Sequence, residues 1–332
     1  MENMKAAFAR GGAGIDSIQV REVPVPAPGV GEVLVRLTAA TLNYRDLLII
    51  RGQAPGVKQP DYVPLSCCAG TVVSVGGSIT RVKFGDRVSP LYSQGWLTGP
   101  IPSMRMLGGP IDGTARQYAV FDAESLCLIP DELGDLDAAA LPCAGLTAWS
   151  ALFGPRPVKP GEWVLLQGTG GVSMAALQWA KAAGAHTIIT SSSDAKLRRA
   201  KALGADIGIN YRAEPDWASA ARAARGGRGV DVVVDVVGVA QLEMCASVLA
   251  EGGIISGVGR LAGEASRGHD AGKPLANIVV GNRDAHEAML AFCARFGVRP
   301  VIDAVYDLVR LQDAFKDLAS GRIFGKVAVN LL

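Results

Sequence analysis

Three closely spaced glycines are the first residues of this sequence that predict a chemistry. Gly168, Gly170 and Gly171 directly follow an apolar run at residues 163–166. Gly168 would allow a tight turn, and Gly170 would let the backbone approach a pyrophosphate closely. A helix beginning here would add unpaired N–H groups and a partial positive charge. Ser173, at the third position of the G-x-G-x-x-G pattern, is small enough for close packing. These residues predict a dinucleotide site; the alternative is an ordinary tight turn.

The residues about 20 positions further on predict which dinucleotide binds. A site for NAD places Asp or Glu there, to bind the ribose 2′-hydroxyl. This chain has serines at residues 191–193, which would not repel a 2′-phosphate. At least one of Lys196, Arg198 and Arg199 on the next helix could face that phosphate. Alternatively, the serines cap the helix and its basic residues are solvated, and both interpretations can hold together. We predict NADP(H) in preference to NAD(H).

A strand–turn–helix–strand unit is needed to position these residues, and residues 161–211 predict one. The run before the glycines is typical of a buried strand, and the helix formers after them end at Gly184. An apolar, β-branched run at residues 185–190 predicts the second strand. Strands and helices keep alternating, so the predicted fold class is α/β, a Rossmann doubly wound parallel sheet. Gly238 and Gly257 each end a predicted strand, and we expect them to border the cofactor unless they form plain turns.

The N-terminal third has a different pattern, with short strands separated by Gly and Pro. The predicted strands are residues 4–8, 18–24 and 32–38, followed by a strand and turn at residues 69–76 and a turn and strand at residues 84–88. A short helix at residues 44–50 follows Asn43, and residues 137–153 have helical composition. This pattern predicts a compact, mostly antiparallel β domain. The predicted elements near the C-terminus are helices at residues 284–296 and 311–318 and a last strand at residues 326–330.

The composition limits the class of protein. The chain has 332 residues, enough for two domains, and with 49% hydrophobic and 19% charged residues it can bury a large core. Its formal net charge of +2 favours neither nucleic acid nor an anionic membrane as a partner. We find no signal peptide and no apolar stretch long enough to span a bilayer. Six irregularly spaced cysteines are not a disulfide framework, so we expect a reduced, cytoplasmic protein.

The order of these parts resembles the medium-chain dehydrogenase/reductase superfamily over essentially the whole chain. The stretches that carry the resemblance are LNYRDLLIIRG (residues 42–52), AGTVVSVG (69–76), FGDRV (84–88), AGLTAW (144–149), QGTGGVS (167–173), LGADIGINY (203–211) and FGKVAV (324–329). LNYRDLL and INY look most like the zinc-free quinone-oxidoreductase-like and zinc-type alcohol dehydrogenase-like branch. The resemblance implies a β-rich GroES-like catalytic domain at residues 1–126 and 284–332 and a Rossmann domain at residues 127–283. It also implies a homodimer paired through the sheet edge around residues 253–261.

The metal ligands of the superfamily's zinc enzymes are largely replaced in this chain. Those enzymes bind a catalytic zinc through Cys, His and Cys. By resemblance, Asn43 stands at the first of these positions and Ser66 at the second, while the third still carries Cys143. Residues 94–116, where a structural zinc would bind, contain no cysteine. We therefore predict that the protein holds no metal.

A thiolate-rich metal site is the alternative. Its ligands would be Cys67, Cys68, Cys143 and Asp46. Adjacent residues of an extended chain point to opposite faces, which disfavours a site that uses both neighbouring cysteines. We expect one of the pair to pack in the core and the other to line the pocket.

The resemblance also implies roles for single residues. Asn43, Tyr44 and Asp46 are expected near the nicotinamide as catalytic residues. Tyr44 is the best candidate to donate a hydrogen bond to the substrate oxygen, and the alternative is a half-buried structural tyrosine. The expected cofactor-binding residues are Thr147, Gly168, Gly170, Gly171, Val172, Ser191, Lys196, Tyr211, Gly257, Gly281 and Lys326.

Together these features predict a zinc-independent, NADPH-dependent oxidoreductase. Without a Lewis acid, hydrogen-bond donors must stabilise the negative charge that develops on the substrate oxygen. An activated C=C bond or a quinone suits such a site, because its oxygen becomes an enolate or a hydroquinone. The runner-up is a metal-free alcohol or aldehyde dehydrogenase. A third class is a nucleotide-binding sensor that has lost turnover.

Overall fold

Two compact units make up the chain. The computed structural model describes residues 2–54, 61–103, 105–259 and 274–332. The first unit is Met1–Leu146 with Gly281–Leu332, and the second unit is Thr147–Val280. The sequence predicts boundaries at residues 127 and 284; in the structure, residues 127–146 and 281–283 group with the first unit. No helix among the described residues is both long and apolar enough to cross a membrane.

Strands and helices are interspersed along the chain. The strands are β1 (Asn3–Phe8), β2 (Gln19–Pro24), β3 (Glu32–Thr41), β4 (Cys67–Val75), β5 (Arg87–Pro90), β6 (Tyr118–Asp122), β7 (Leu126–Leu128), β8 (Trp163–Gln167), β9 (His186–Ser191), β10 (Ile207–Asn210), β11 (Val230–Asp235), β12 (Leu249–Gly257), β13 (Leu275–Asn277), β14 (Ile302–Asp307) and β15 (Lys326–Asn330). The helices are α1 (Tyr44–Ile50), α2 (Asp135–Ala139), α3 (Leu146–Phe153), α4 (Gly171–Ala182), α5 (Asp194–Ala202), α6 (Trp217–Ala223), α7 (Leu242–Val248), α8 (Arg283–Phe296) and α9 (Leu311–Ala319).

The first unit is built on a mostly antiparallel sheet, as the N-terminal pattern predicts. Its strand order is β14-β15-β3-β4-β5-β7, and β6 pairs with β3. The long strand β3 pairs antiparallel with both β4 and β15, which sets Thr41 opposite Cys67 and opposite Ala328. The carboxyl end of β3 therefore lies beside the amino ends of β4 and β15. This junction positions the polar residues described below.

Residues 137–153, which have helical composition, belong to three short helical elements. A π-helical turn at Leu141–Gly145 separates α2 from α3. Pro142 lies in this turn, and proline removes a backbone donor and clashes with the preceding turn of an α-helix. The interruption sets Cys143 on the turn and leaves it half-buried.

The second unit is a parallel sheet with strand order β10-β9-β8-β11-β12-β13. Every pairing within it is parallel, which confirms the predicted doubly wound fold. The strand order reverses between β8 and β11. Ligands of such folds bind beyond the carboxyl ends of the strands at this point. The glycine turn follows β8 directly, so it lies at the reversal.

The sheet edge differs from the prediction. We expected the strand near residues 253–261 to form the edge, but β13 pairs with β12 on its outer side, joining Ile255 to Leu275 and Gly257 to Asn277. Residues 260 and 261 of the predicted edge lie outside the described residues. The three-residue strand β13 is too short to give a periodic signal in the sequence.

Candidate functional site

The glycine turn of the second unit leaves open space where a phosphate would lie. Gly168 has φ +71°, a conformation that favours glycine, and it turns the chain out of β8. A Cβ added to Gly168 or Gly170 would meet no atom within 4 Å. Absent side chains therefore leave the backbone approachable at both positions, as a dinucleotide site requires.

Helix α4 presents its N-terminus at this turn. The helix begins at Gly171, and its N-cap residue, Gly170, has no side chain to bond the first N–H groups. Val172 lies in the same first turn. The Ser173 hydroxyl donates to the carbonyl of Gln167 at 2.6 Å, which ties the helix to β8. Serine at the third position of the pattern thus adds a hydrogen bond to the close packing that glycine would allow.

The serines after β9 form a helix cap and also line the end of the strand. Ser191 is buried, and its Oγ accepts from the backbone N–H of Ser193 at 3.3 Å. Ser193 caps α5 by accepting from the backbone N–H of Lys196 at 3.4 Å. The Tyr211 N–H donates to the Ser191 carbonyl at 3.1 Å, so these two predicted residues lie together. The alternative interpretation, that the serines cap the helix, is therefore correct for Ser193.

Asp194 is a carboxylate near this strand end that the sequence analysis overlooked. It is the first residue of α5, and its Oδ1 accepts from Asn210 Nδ2 at 2.7 Å. The signal was present, since Asp is favoured in the first turn of a helix. The bond to Asn210 binds the carboxylate to the end of β10.

The two glycines predicted to border the cofactor have structural explanations. Gly238 has φ +100°, and its N–H donates to the carboxylate of Asp235 at 3.0 Å. Burial raises the pKa of Asp235, although its hydrogen bonds from backbone N–H groups act in the opposite direction. A Cβ on Gly257 would lie 2.9 Å from the side chain of Leu275, so this glycine makes room for β13. Gly257 ends β12, whereas Gly238 lies beyond the end of β11 and caps a short 3-10 helix.

A buried polar cluster lies at the β3–β4–β15 junction of the first unit. Lys326 Nζ donates to Asn43 Oδ1 at 2.6 Å and also to the Leu42 carbonyl. Asn43 Nδ2 donates to Ser66 Oγ at 3.1 Å. The Ser66 hydroxyl is 3.5 Å from Asp46 Oδ1. We name Lys326, Asn43, Ser66 and Asp46 the junction cluster.

Asp46 combines a structural with an electrostatic role. Its carboxylate accepts from the backbone N–H of Asn43 at 2.8 Å, so it closes the start of α1. Burial raises the pKa of Asp46 above its ordinary value, and Arg45, the Asn43 N–H and Lys326 offset only part of this rise. Only 1% of Asp46 is exposed. The carboxylate therefore depends on these donors for its charge.

The neighbouring cysteines point to different surroundings. Cys67 Sγ accepts from Asn43 Nδ2 at 3.1 Å. Burial would raise the pKa of Cys67, but a hydrogen bond from Cys143, the charge of Lys326 and the Asn43 amide hold it below its ordinary value. The same hydrogen bond raises the pKa of Cys143. Cys68 belongs to the hydrophobic core, and burial raises its pKa. Cys67 thus joins the polar cluster and Cys68 the core, and both are buried; that one of the pair lines a pocket stays a prediction.

Arg45 is a residue of this region that the sequence analysis missed. Its Nη1 donates to the Leu107 carbonyl at 3.1 Å, and its guanidinium lies 5.3 Å from the ring centre of Tyr92. It also lies 3.8 Å from Asp46. Arg45 thereby ties the loop around Leu107 to α1. Its place within LNYRDLL was the only available signal.

Several predicted residues lie outside the junction cluster. Tyr44 opens α1 and is 40% exposed, and no hydrogen bond engages its phenol among the described residues. Thr147 is buried on α3, and Gly281 precedes Asn282, the N-cap of α8. Lys326 was predicted to bind the cofactor, yet its ammonium is engaged with Leu42 and Asn43.

This chain is similar in sequence and in fold to known proteins. Residues 29–131 match the alcohol dehydrogenase GroES-like domain, and residues 171–285 match the zinc-binding dehydrogenase domain. A zinc-type alcohol dehydrogenase-like protein of Schizosaccharomyces pombe is 38% identical over 334 residues, which cover 96% of each chain. The chain belongs to the medium-chain dehydrogenase/reductase superfamily.

Solved structures of the superfamily span different activities. An NAD-dependent alcohol dehydrogenase is 32% identical with a TM-score of 0.89, and the match covers 98% of this chain and 99% of that one. The quinone oxidoreductase of Coxiella burnetii is 25% identical with a TM-score of 0.83, and the match covers 100% of both chains. This superfamily member is therefore an oxidoreductase with a nicotinamide cofactor. The predicted family and fold class are confirmed.

Proposed function

We propose that this protein is a zinc-independent, NADPH-dependent reductase of enones or quinones. The observation that carries the proposal is the hydrogen bonding of Asn43 and Ser66, the residues at two metal-ligand positions. Both side chains are engaged within the junction cluster between an ammonium and a carboxylate. This pairing supports stabilisation of the substrate oxygen by hydrogen-bond donors of the chain.

The residues at these positions do not fit a catalytic zinc. Such sites take three ligands among Cys, His and carboxylate. Here an amide and a hydroxyl replace two of them, and the amide oxygen already accepts from Lys326. A buried ammonium beside the site opposes a divalent cation electrostatically. Cys143 alone retains a ligand type of the zinc enzymes at its position.

The residues of the second unit fit a nicotinamide dinucleotide. Gly168, Gly170 and the N-terminus of α4 would hold its pyrophosphate, because open space and unpaired N–H groups meet there. Bound there, the cofactor supplies the hydride. Ser191, Lys196 and Tyr211 would lie toward the adenosine ribose. Serine in place of Asp or Glu at the end of β9 supports NADPH over NADH.

Tyr44 is the proposed donor to the substrate oxygen. Its exposed phenol is unengaged among the described residues, whereas the Asn43 amide is used inside the junction cluster. A phenol is a modest donor and suits an enolate or a hydroquinone oxygen better than an alkoxide. Asn43 and Asp46 would then hold Tyr44 in place by fixing the start of α1.

A steady-state screen tests the proposal. Enones, quinones and primary alcohols are each assayed with NADPH and NADH, and the dissociation constants of both nucleotides are measured. We expect turnover of an enone or quinone and tighter binding of NADPH. Activity confined to alcohol oxidation would favour a metal-free alcohol dehydrogenase, and tighter NADH binding would overturn the cofactor assignment. We also expect a cytoplasmic homodimer, which light scattering and cell fractionation would test.

A further inference from the structure

Lys326 stands at a place in the fold where a lysine is unusual. It opens β15, and only 5% of the residue is exposed. The antiparallel register sets Ala328 opposite Thr41, and Leu42 donates its N–H to the Val327 carbonyl. Carrying this register on brings residue 326 beside residue 43. The strand pairing therefore places the Lys326 ammonium beside Asn43. Burial of this charge costs desolvation energy, which only close hydrogen-bond partners offset.

The ammonium determines how the Asn43 amide is oriented. Amide oxygen and nitrogen are normally assigned from their partners, because they look alike. An ammonium has donors only, so the amide oxygen must face Lys326. Nδ2 must then face away from it, toward Ser66 Oγ and Cys67 Sγ. One charged residue thus fixes the orientation of the whole amide.

The resulting chain of hydrogen bonds has a direction. Because Ser66 Oγ accepts from Asn43, its own hydrogen is free to point at Asp46 Oδ1, 3.5 Å away. The chain begins at a buried cation and ends at a buried carboxylate. Its two neutral bridges, Asn43 and Ser66, are the residues that stand at metal-ligand positions in the resemblance.

We propose that Lys326 is a positioning residue that holds Asn43 and the start of α1, with its charge balanced by Asp46 across the junction cluster. Lys326 thus fixes the orientation of Asn43 and Ser66, the residues at two metal-ligand positions, and does not bind the cofactor. This inference rests on the proposed function only for its turnover readout.

Lys326→Met tests the inference, because it keeps the length of the side chain and removes its donors. We expect kcat for enone or quinone reduction to fall about tenfold or more, since displacement of a positioned group by about 1 Å can cost as much as about 100-fold. The dissociation constant of NADPH should stay within about twofold of the parent value, because in this inference Lys326 does not bind the cofactor. A tenfold rise would correspond to 1.4 kcal/mol. Lys316→Met is the control on a solvent-exposed lysine of α9 and should change neither quantity.

A double-mutant cycle separates positioning from cofactor binding. If Lys326 acts through Asn43, adding Asn43→Leu to Lys326→Met lowers kcat no further than the worse single variant. A raised NADPH dissociation constant with unchanged kcat, or losses that multiply, would overturn the inference. Lys326→Met alone leaves the buried Asp46 carboxylate without its ammonium and could fail to fold. Lys326→Met with Asp46→Asn removes both buried charges and replaces it in that case.

Thermal unfolding provides a readout that does not need turnover. The midpoint of Lys326→Met with Asn43→Leu should lie no lower than that of the worse single variant, and additive losses would contradict the inference. If the parent protein reduces no enone or quinone, the proposed function fails while this cycle still decides the role of Lys326.

Discussion

Tyr44 differs from its neighbours in access to solvent. Asn43 and Asp46 are 7% and 1% exposed, and their polar atoms bond to each other and to residues of β4 and β15. Tyr44 is 40% exposed, because the first residue of α1 points away from the cluster that caps the helix. Of the three predicted catalytic residues, only the tyrosine therefore has a donor to offer a ligand.

Tyr44→Phe should lower kcat for enone or quinone reduction by about 100-fold, the loss typical of one donor to a developing oxyanion. Phenylalanine keeps the ring and removes only the hydroxyl. NADPH binding should not change, because the hydroxyl is proposed to bond the substrate oxygen and not the cofactor. The measurement is kcat together with NADPH affinity by fluorescence titration, and Tyr118→Phe on β6 is the matched control. Equal kcat in Tyr44→Phe and the parent would remove Tyr44 from the mechanism.

Single residues were predictable where a local pattern required them. Gly168 and Gly170 belong to a turn whose geometry their sequence already specifies, and the structure has the open backbone they imply. The engagement of Lys326 was not predictable. It depends on the pairing of β15 with β3, and the two segments are separated by most of the chain. Arg45 was missed for the same reason, because Leu107 and Tyr92 reach it from a distant loop.

At the scale of elements, a substitution in the turn between β8 and α4 should change cofactor affinity without changing stability. Gly170→Ala should leave stability unchanged, because Gly170 has φ −81° and its added Cβ meets open space. The same Cβ would occupy the pyrophosphate position, so the NADPH dissociation constant should rise about tenfold or more, which is 1.4 kcal/mol. Thermal unfolding and fluorescence titration measure the two effects.

Gly168→Ala is the contrasting variant at this turn. Its φ of +71° strains any residue with a Cβ, so it should lose about 1 kcal/mol of unfolding free energy. Unchanged NADPH affinity in Gly170→Ala would show that the turn does not hold the phosphates.

Helix α8 contains a histidine that should make the protein sensitive to acid. His286 is fully buried, neither ring nitrogen has a partner among the described residues, and burial lowers its pKa to about 4. In the unfolded chain it takes up a proton near pH 6.5, whereas the folded protein resists protonation until about pH 4. Stability should therefore fall as the pH drops from about 6.5 to 4.

His286→Leu should remove this acid-dependent loss. Between pH 8 and pH 5 the parent protein should lose about 2 kcal/mol more unfolding free energy than the variant, the linkage expected of that pKa difference. Urea unfolding at several pH values provides the measurement. Parallel stability curves for the two proteins would contradict the buried, neutral histidine.

Elements were predictable in proportion to their length and periodicity. The helix at residues 44–50 and the strand at residues 326–330 match α1 and β15, because capping and alternation are local signals. The helical composition of residues 137–153 agrees with α2, the π-helical turn and α3, whereas the boundaries between these three elements had no clear signal in the sequence. Strand β13 was missed because its three residues gain their structure from β12.

At the scale of the whole molecule, the balance of charge argues against a metal. The junction cluster already contains one ammonium and one carboxylate, and its bridging residues are neutral. Zinc would add two positive charges beside the ammonium and would need thiolate or imidazole ligands that Asn43 and Ser66 do not supply. This balance of charge supports the proposed zinc-independent function.

Removal of metal should leave the protein unchanged. After dialysis against a strong zinc chelator, we expect the parent kcat and unfolding midpoint, and substoichiometric zinc in protein purified without chelator. A positive control is the variant Asn43→Cys with Ser66→His, which restores a Cys, His and Cys set together with Cys143. Because the Lys326 ammonium repels a divalent cation, this variant should bind zinc tightly only when Lys326→Met is added. Stoichiometric zinc in the parent protein, or loss of its activity on chelation, would show that the junction cluster is a metal site whose ligands differ from those of the zinc enzymes.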